Sequence, residues 1–161
     1  MHSGSLHSQQ HHDSTPQRVS WAAARQATLH CLTGCAIGEV LGMVIGTSLG
    51  LHDAATVALA IALAFVFGYA LTVRIVLRGG LPLRRAVQVA LAADTVSILV
   101  MELVDNAVIL AVPGAMEAGL TSLLFWGALG GALAVAFVVT LPINRALMSR
   151  GKGHAVVHEM H

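Results

Sequence analysis

Four long apolar stretches dominate the chain, and short polar segments separate them. They cover approximately residues 21–50, 55–77, 85–112 and 123–147. Each has roughly the 20 apolar residues that a helix needs to cross the hydrocarbon core of a bilayer. Turn-forming pairs punctuate the pattern, since Gly79-Gly80 precedes the third stretch and Pro113-Gly114 ends it. The pattern predicts an all-α integral membrane protein with four transmembrane helices.

The composition is typical of a membrane domain. Of 161 residues, 56% are hydrophobic and 11% are charged, whereas soluble domains average about 25% charged residues. Four helices of this length leave no room for a second domain. We expect a flexible His-rich tail over residues 1–20, a four-helix transmembrane domain over 21–148 and a short His-containing tail over 149–161.

Positive charge lies on one side of the predicted helices. All nine Lys and Arg residues precede the first helix, flank the second loop or follow the fourth helix: Arg18, Arg25, Arg74, Arg78, Arg84, Arg85, Arg145, Arg150 and Lys152. The first and third loops have none. Because cytoplasmic loops carry the excess of Lys and Arg, this distribution predicts a multi-pass protein with both termini in the cytoplasm. The first and third helices then run parallel.

Glycine recurs at every fourth position of the first helix. The series is Gly34, Gly38, Gly42, Gly46 and Gly50. A second group of glycines, on the fourth helix, contains Gly127, Gly130 and Gly131. Small residues at this spacing let a neighbouring helix approach closely in lipid. We expect these faces to support close helix packing and association of the chain into a homo-oligomer.

Polar and sulfur-containing side chains follow one face of the first helix and one face of the third. On the first helix they are His30, Cys31, Cys35, Glu39 and Met43. On the third helix a helical wheel groups Asp94, Ser97, Met101, Glu102, Asp105 and Asn106. An ionisable group at membrane depth costs at least about 2.5 kcal/mol on insertion scales and is a functional candidate by default. The two faces predict a site between the first and third helices.

The depths of these side chains can be compared by counting along two parallel helices. Counting from Arg25 and Arg85, with a rise of about 1.5 Å per residue, we expect Cys35 to lie level with Asp94. The same count places Met43 level with Met101 and Glu102. Asp105, Asn106 and the His52-Asp53 turn are expected to form the outer mouth of a path, and His30 and Cys31 its inner mouth.

The donor types indicate a metal ion. Thiolate, thioether and imidazole ligands favour copper(I) and zinc, and carboxylate and amide oxygens widen the choice to other divalent ions. No Lys or Arg lies at matching depth, so the carboxyl groups must be protonated, be hydrated or hold a cation. The candidate metal ligands are His30, Cys31, Cys35, Glu39, Met43, Asp94, Met101, Glu102, Asp105 and Asn106.

Several other chemistries find no support in the sequence. A bis-histidine haem or an intramembrane zinc hydrolase needs several buried histidines, and only His30 qualifies. Cys31 and Cys35 are placed near the reducing side of the membrane and are expected to be free thiols. No P-loop or nucleotide-binding motif is present. We therefore expect a protein that is not an enzyme and has no nucleic-acid partner.

The chain also resembles a known family. The segments HCLTGCAIGEVLGMVIGT, FGYALT, LAADTVSILVMELVDNAV, PGAM and RGKGHAVVH are similar to a bacterial integral-membrane family, domain of unknown function 4396, with its HCxxGCxxGE and MExxDN motifs. The similarity runs from about Ala23 to His158. It implies a four-helix protein of the bacterial inner (cytoplasmic) membrane and assigns no activity.

The functional hypothesis therefore depends on the residues themselves. We expect a small transporter or channel for a transition-metal ion, copper(I) or zinc, with a Cys/His/Met/carboxylate pathway between helices 1 and 3. Two alternatives stay open. One is a membrane sensor or chaperone that binds a metal without moving it, and the other is a structural protein whose polar groups hold helices together.

Overall fold

A computed structural model describes residues 19–149 of the chain, which form four α-helices and no strand. The helices are α1 Trp21–Ser48, α2 Asp53–Arg78, α3 Leu83–Ala111 and α4 Leu123–Ser149. Each is long and apolar enough to cross a membrane, with a mean hydropathy between 1.6 and 2.2. The predicted all-α membrane fold is confirmed. Most of the two predicted tails, residues 1–18 and 150–161, lies outside the described residues.

Local capping explains where the first two helices begin. The Ser20 hydroxyl accepts a hydrogen bond from the Ala23 amide at 3.1 Å, and His52 Nδ1 accepts one from the Ala55 amide at 3.2 Å. Such caps satisfy backbone N–H groups that have no partner within the helix. Gly50, with φ +64°, supplies the left-handed residue of the tight turn between α1 and α2.

The glycine series of α1 packs against α2 as an antiparallel hairpin. Gly34 faces Gly68, Gly38 faces Ala64, Gly42 faces Ala60 and Gly46 faces Thr56. A β-carbon added at Gly34 would lie 2.7 Å from the Gly68 α-carbon, and one at Gly38 or Gly42 would overlap the α2 backbone. The two backbones are therefore in direct contact, as expected for small residues in lipid.

This hairpin corrects the predicted role of the α1 glycines. Because α2 of the same chain occupies them, positions 34 to 46 are not available for association between copies. Gly50 lies beyond the helix and has no neighbour within 4 Å of its added β-carbon. The α4 glycines differ, since Gly127, Gly130 and Gly131 are exposed and a β-carbon at any of them would meet nothing within 4 Å.

The bundle has two distinct ends. At the terminal end, where α1 starts and α4 finishes, the Arg145 guanidinium lies 4.1 Å from the centre of the Trp21 ring and its Nε donates to the Val19 carbonyl. The distal end contains the α1–α2 turn and the α3–α4 loop. Between the ends, large apolar side chains such as Leu103, 74% exposed, face outward, as a lipid-facing surface requires. Pro142 lies inside α4.

We predict that Gly38→Ala destabilises the bundle by about 1–3 kcal/mol, the usual cost of overpacking a filled interface. The added methyl group would overlap the backbone at Ala64. Gly131→Ala is the matched control, because the same methyl group meets nothing there. Thermal unfolding in detergent measures both. Equal melting temperatures for the two variants would contradict the hairpin contact.

Candidate functional site

A cavity of about 400 Å³ opens between the helices toward the distal end of the bundle. Five acidic side chains line it, and three of them are buried, Glu39 from α1 and Glu102 and Asp105 from α3. All three are at least nine-tenths buried. The other polar or sulfur-containing lining residues are Met43, Thr47, Asp53, Thr56, Asn106, Met116 and Glu117. We call this space the distal cavity.

The three buried carboxyl groups of the distal cavity leave five oxygen atoms without a hydrogen bond among the described residues. Both oxygens of Glu39, both oxygens of Glu102 and Oδ1 of Asp105 are buried without a hydrogen bond. Glu39 and Asp105 are direct neighbours in this cavity. Burying a charge is costly unless it is paired or coordinates a metal. The group is therefore suited to bind a cation or protons.

A second cavity, of about 580 Å³, opens toward the terminal end. His30, Cys31 and Asp94 line it, and the Cys31 thiol donates to Asp94 Oδ1 at 3.7 Å. The other carboxyl oxygen of Asp94 and Nε2 of His30 are buried without a partner. This terminal cavity thus combines a thiol, a carboxyl group and an imidazole.

A thin layer of side chains separates the two cavities. Cys35, Ile98 and Met101 are each no more than 1% exposed and line neither cavity. They belong to one buried cluster with Ala64, Ala136 and Cys31, of which only Cys31 also lines a cavity. We call the other five residues the septum. The Ile98 side chain fills the space left by a glycine, since a β-carbon on Gly68 would lie 2.7 Å from Ile98 Cδ1.

The predicted depths need a correction. Cys31, not Cys35, lies beside Asp94, and Cys35 faces Glu102, whereas Met43 was expected at that level. The helices start earlier than the arginines from which the depths were counted. Cys31 is ten residues after the start of α1 and Asp94 eleven after the start of α3, so the true helix starts give the observed pairing.

Most of the residues that we expected at the two mouths of a path line one of the two cavities. Asp53, Asp105 and Asn106 line the distal cavity, and His30 and Cys31 line the terminal cavity. His52 lines neither, because its ring caps α2. The Asn106 amide donates to the Glu102 carbonyl at 2.7 Å and thus bonds to its own helix.

No group of three or more His, Cys, Asp or Glu side chains within residues 19–149 is placed to hold one metal ion. The candidate ligands are instead spread over successive levels along α1 and α3. Cys31 and Cys35 are free thiols, as predicted. The arrangement resembles a sequence of partial sites more than one closed site.

One family model matches most of the chain. A family model described as a domain of unknown function, DUF4396, matches residues 20–153. The chain belongs to this family. No curated protein and no solved structure matches it.

The DUF4396 match includes every residue that lines the two cavities and the septum. Both cavities are thus part of the family domain and not of a variable extension. The family description names no activity, so the function of this DUF4396 chain has to be inferred from its geometry.

A buried polar connection near the terminal cavity was missed by the sequence analysis. Asn144 of α4 donates to the Thr28 hydroxyl of α1 at 2.9 Å and accepts a hydrogen bond from Ser97 of α3. Three helices meet at this amide. Asn144 itself was the signal in the sequence, because the side chain of a lone Asn within an apolar helix needs a polar partner on another helix.

We predict that Thr28→Val and Asn144→Leu are coupled by about 0.6–1.7 kcal/mol, the range for buried hydrogen bonds between membrane helices. Unfolding free energies of the two single variants and the double variant in detergent give the coupling. Thr33→Val is the matched control, because Thr33, like Thr28, bonds the carbonyl four residues earlier at 2.8 Å but is exposed. A Thr33–Asn144 coupling of equal size would contradict the proposed connection.

Proposed function

We propose that this DUF4396 protein is a small membrane transporter or channel for a transition-metal ion. One observation carries the proposal: buried carboxyl groups without partners line a cavity that reaches toward a second polar cavity from the opposite end. In lipid such groups are costly and mark ion or proton pathways. The two cavities and the septum give a route between the helices of one chain.

Each level of this route has its own chemistry. His30, Cys31 and Asp94 exchange ions at the terminal end. Cys35 and Met101 lie in the septum. At the distal end Glu39, Glu102 and Asp105 receive the ion, and Met43 and Asn106 line the cavity there. Successive partial sites suit an ion that must leave as readily as it enters.

Copper(I) and zinc are the ions that this donor set favours, because it combines sulfur, imidazole and carboxylate. A sensor or chaperone that retains its metal is the second candidate. The spread of the ligands over several levels, with no closed group of three among residues 19–149, favours passage over retention. A purely structural role would leave the unpartnered carboxyl groups unexplained.

The orientation and environment are part of the proposal. We place both termini in the cytoplasm and the distal cavity on the outer side of a bacterial inner membrane, because every arginine within residues 19–149 lies toward the terminal end. Homo-oligomer formation would use α4, whose exposed glycines at 127, 130 and 131 are not covered by the chain itself.

We predict that Glu39→Gln lowers metal flux into proteoliposomes at least about tenfold, since changes near metal ligands commonly cost about 10–100-fold. The substitution keeps the shape of the side chain and removes its charge. Glu117→Gln, the same change at an exposed loop position of the distal cavity, is the control and should retain flux. Zinc and copper(I) would be measured separately.

Two outcomes would contradict the transport proposal. One is the absence of flux above that of empty liposomes for every ion tested. The other is equal flux in the wild type and Glu39→Gln, which would make the buried carboxyl groups structural. Retained metal without flux would favour the sensor or chaperone.

We predict that a cysteine placed at Glu117 is labelled by an impermeant thiol reagent from outside the cell. Reporters fused to either terminus should be active only in the cytoplasm. The cysteine would be introduced with Cys31 and Cys35 retained, because both are buried. Labelling at position 117 only after the cells are opened would invert the proposed orientation.

A further inference from the structure

The septum lies between the two cavities of the proposed route. Its side chains come from all four helices: Cys35 from α1, Ala64 from α2, Ile98 and Met101 from α3, and Ala136 from α4. Each is buried, and neither cavity reaches Cys35, Ile98 or Met101. An ion that passes from one cavity to the other must therefore contact these side chains.

The donor atoms of the septum are sulfur atoms. Among its five residues only Cys35 and Met101 carry an atom that can bind a metal ion. Tyr69 packs against the same cluster, but its hydroxyl is hydrogen-bonded to Thr95 at 2.9 Å. Thr140, one turn from Ala136 on α4, adds a neutral buried hydroxyl and no charge.

The residues on either side of the septum also fit the stepwise transfer of an ion from one sulfur ligand to the next. Cys31 lies one turn of α1 toward the terminal cavity, where it bonds Asp94. Cys35 faces Glu102 on the distal side, where both Glu102 oxygens are buried and unpartnered. Steps of four residues correspond to about 6 Å along a helix. Sulfur and carboxyl groups thus lie together at two successive levels, about one helical turn apart.

We infer that Cys35 and Met101 form the selectivity site of this route and that its substrate is a soft monovalent cation, copper(I) or its analogue silver(I). This inference rests on the proposed transport function and narrows its substrate class. Thiolate and thioether ligands select copper(I) over harder ions.

The charge balance in the septum also favours a monovalent cation over a divalent one. The Cys35 thiol passes its proton to the facing Glu102 carboxylate as it binds the ion and takes the proton back when the ion leaves. A monovalent ion on one thiolate and one neutral thioether makes a complex with no net charge. A divalent ion at the same two ligands keeps one positive charge that the protonated Glu102 no longer compensates, and such a charge is costly to bury. Zinc also requires a fourfold ligand set, which the septum does not supply.

The test compares uptake of silver(I), zinc and manganese(II) into proteoliposomes containing the full chain. The variants are Cys35→Ser and Met101→Leu, of which the second nearly conserves side-chain volume and should preserve the fold. Leu103→Met, the reverse exchange at an outward-facing position of α3 that lines neither cavity, is the matched control. We expect silver(I) to be carried fastest and both septum variants to lower its uptake at least about tenfold, with the control unchanged.

The outcomes separate the selectivity site from the transport function. If zinc or manganese(II) is carried as fast as silver(I) and only Glu39→Gln lowers uptake, transport stands and the sulfur site is wrong. If no ion is carried by the wild type, both proposals fall.

If a septum variant does not fold, a spectroscopic measurement on the wild type and Cys31→Ser tests the same proposal. The wild type titrated with copper(I) should develop an ultraviolet copper-thiolate band, for which Cys31 and Cys35 are the chain's only thiol sources. Cys31→Ser should keep part of this band through Cys35. Complete loss of the band in a folded Cys31→Ser protein would overturn the role of Cys35.

Discussion

The backbone contact between α1 and α2 is the constraint on which the remaining structure depends. Gly34 and Gly38 allow α2 to approach so closely that no β-carbon fits between the two helices. With one side of α1 committed to this contact, the neighbouring ribbon of Cys31, Cys35 and Glu39 must face the rest of the bundle. It meets the polar face of α3, where Cys31 bonds Asp94. A packing rule for small residues thus positions a set of reactive groups.

The buried carboxyl groups are the costliest feature that this packing creates. Glu39 and Glu102 have no hydrogen-bond partner in residues 19–149, although the same bundle satisfies Asn144 from two helices. The chain can therefore pair buried polar groups where the fold needs them. That contrast supports a functional origin for the unpaired acids, because a purely structural network loses stability when its members are left unsatisfied.

Much of the fold was predictable, because the length and hydropathy of a segment are enough to identify a membrane-spanning helix. The two polar faces on α1 and α3 also followed from helical periodicity. Their register did not, since Arg25 and Arg85 lie at different distances from the true helix starts. Nor does periodicity say which helix covers a glycine face, so the partner of Gly38 could be found only from the packing. The septum was hidden for the same reason, because Ile98 is an ordinary apolar residue until its neighbours are known.

The septum has an electrical consequence. The cavities leave only about 12 Å of dry protein, or eight residues of helix, between the levels of Cys31 and Glu39, compared with a hydrocarbon core about 30 Å thick. When water fills both cavities, the membrane voltage falls mainly across this short layer. The electrostatic energy of one elementary charge that crosses this layer then changes by almost the whole membrane contribution, about 2.3 kcal/mol per 100 mV. In a protein of only four helices, most of the membrane voltage would then act on an ion as it passes Cys35 and Met101.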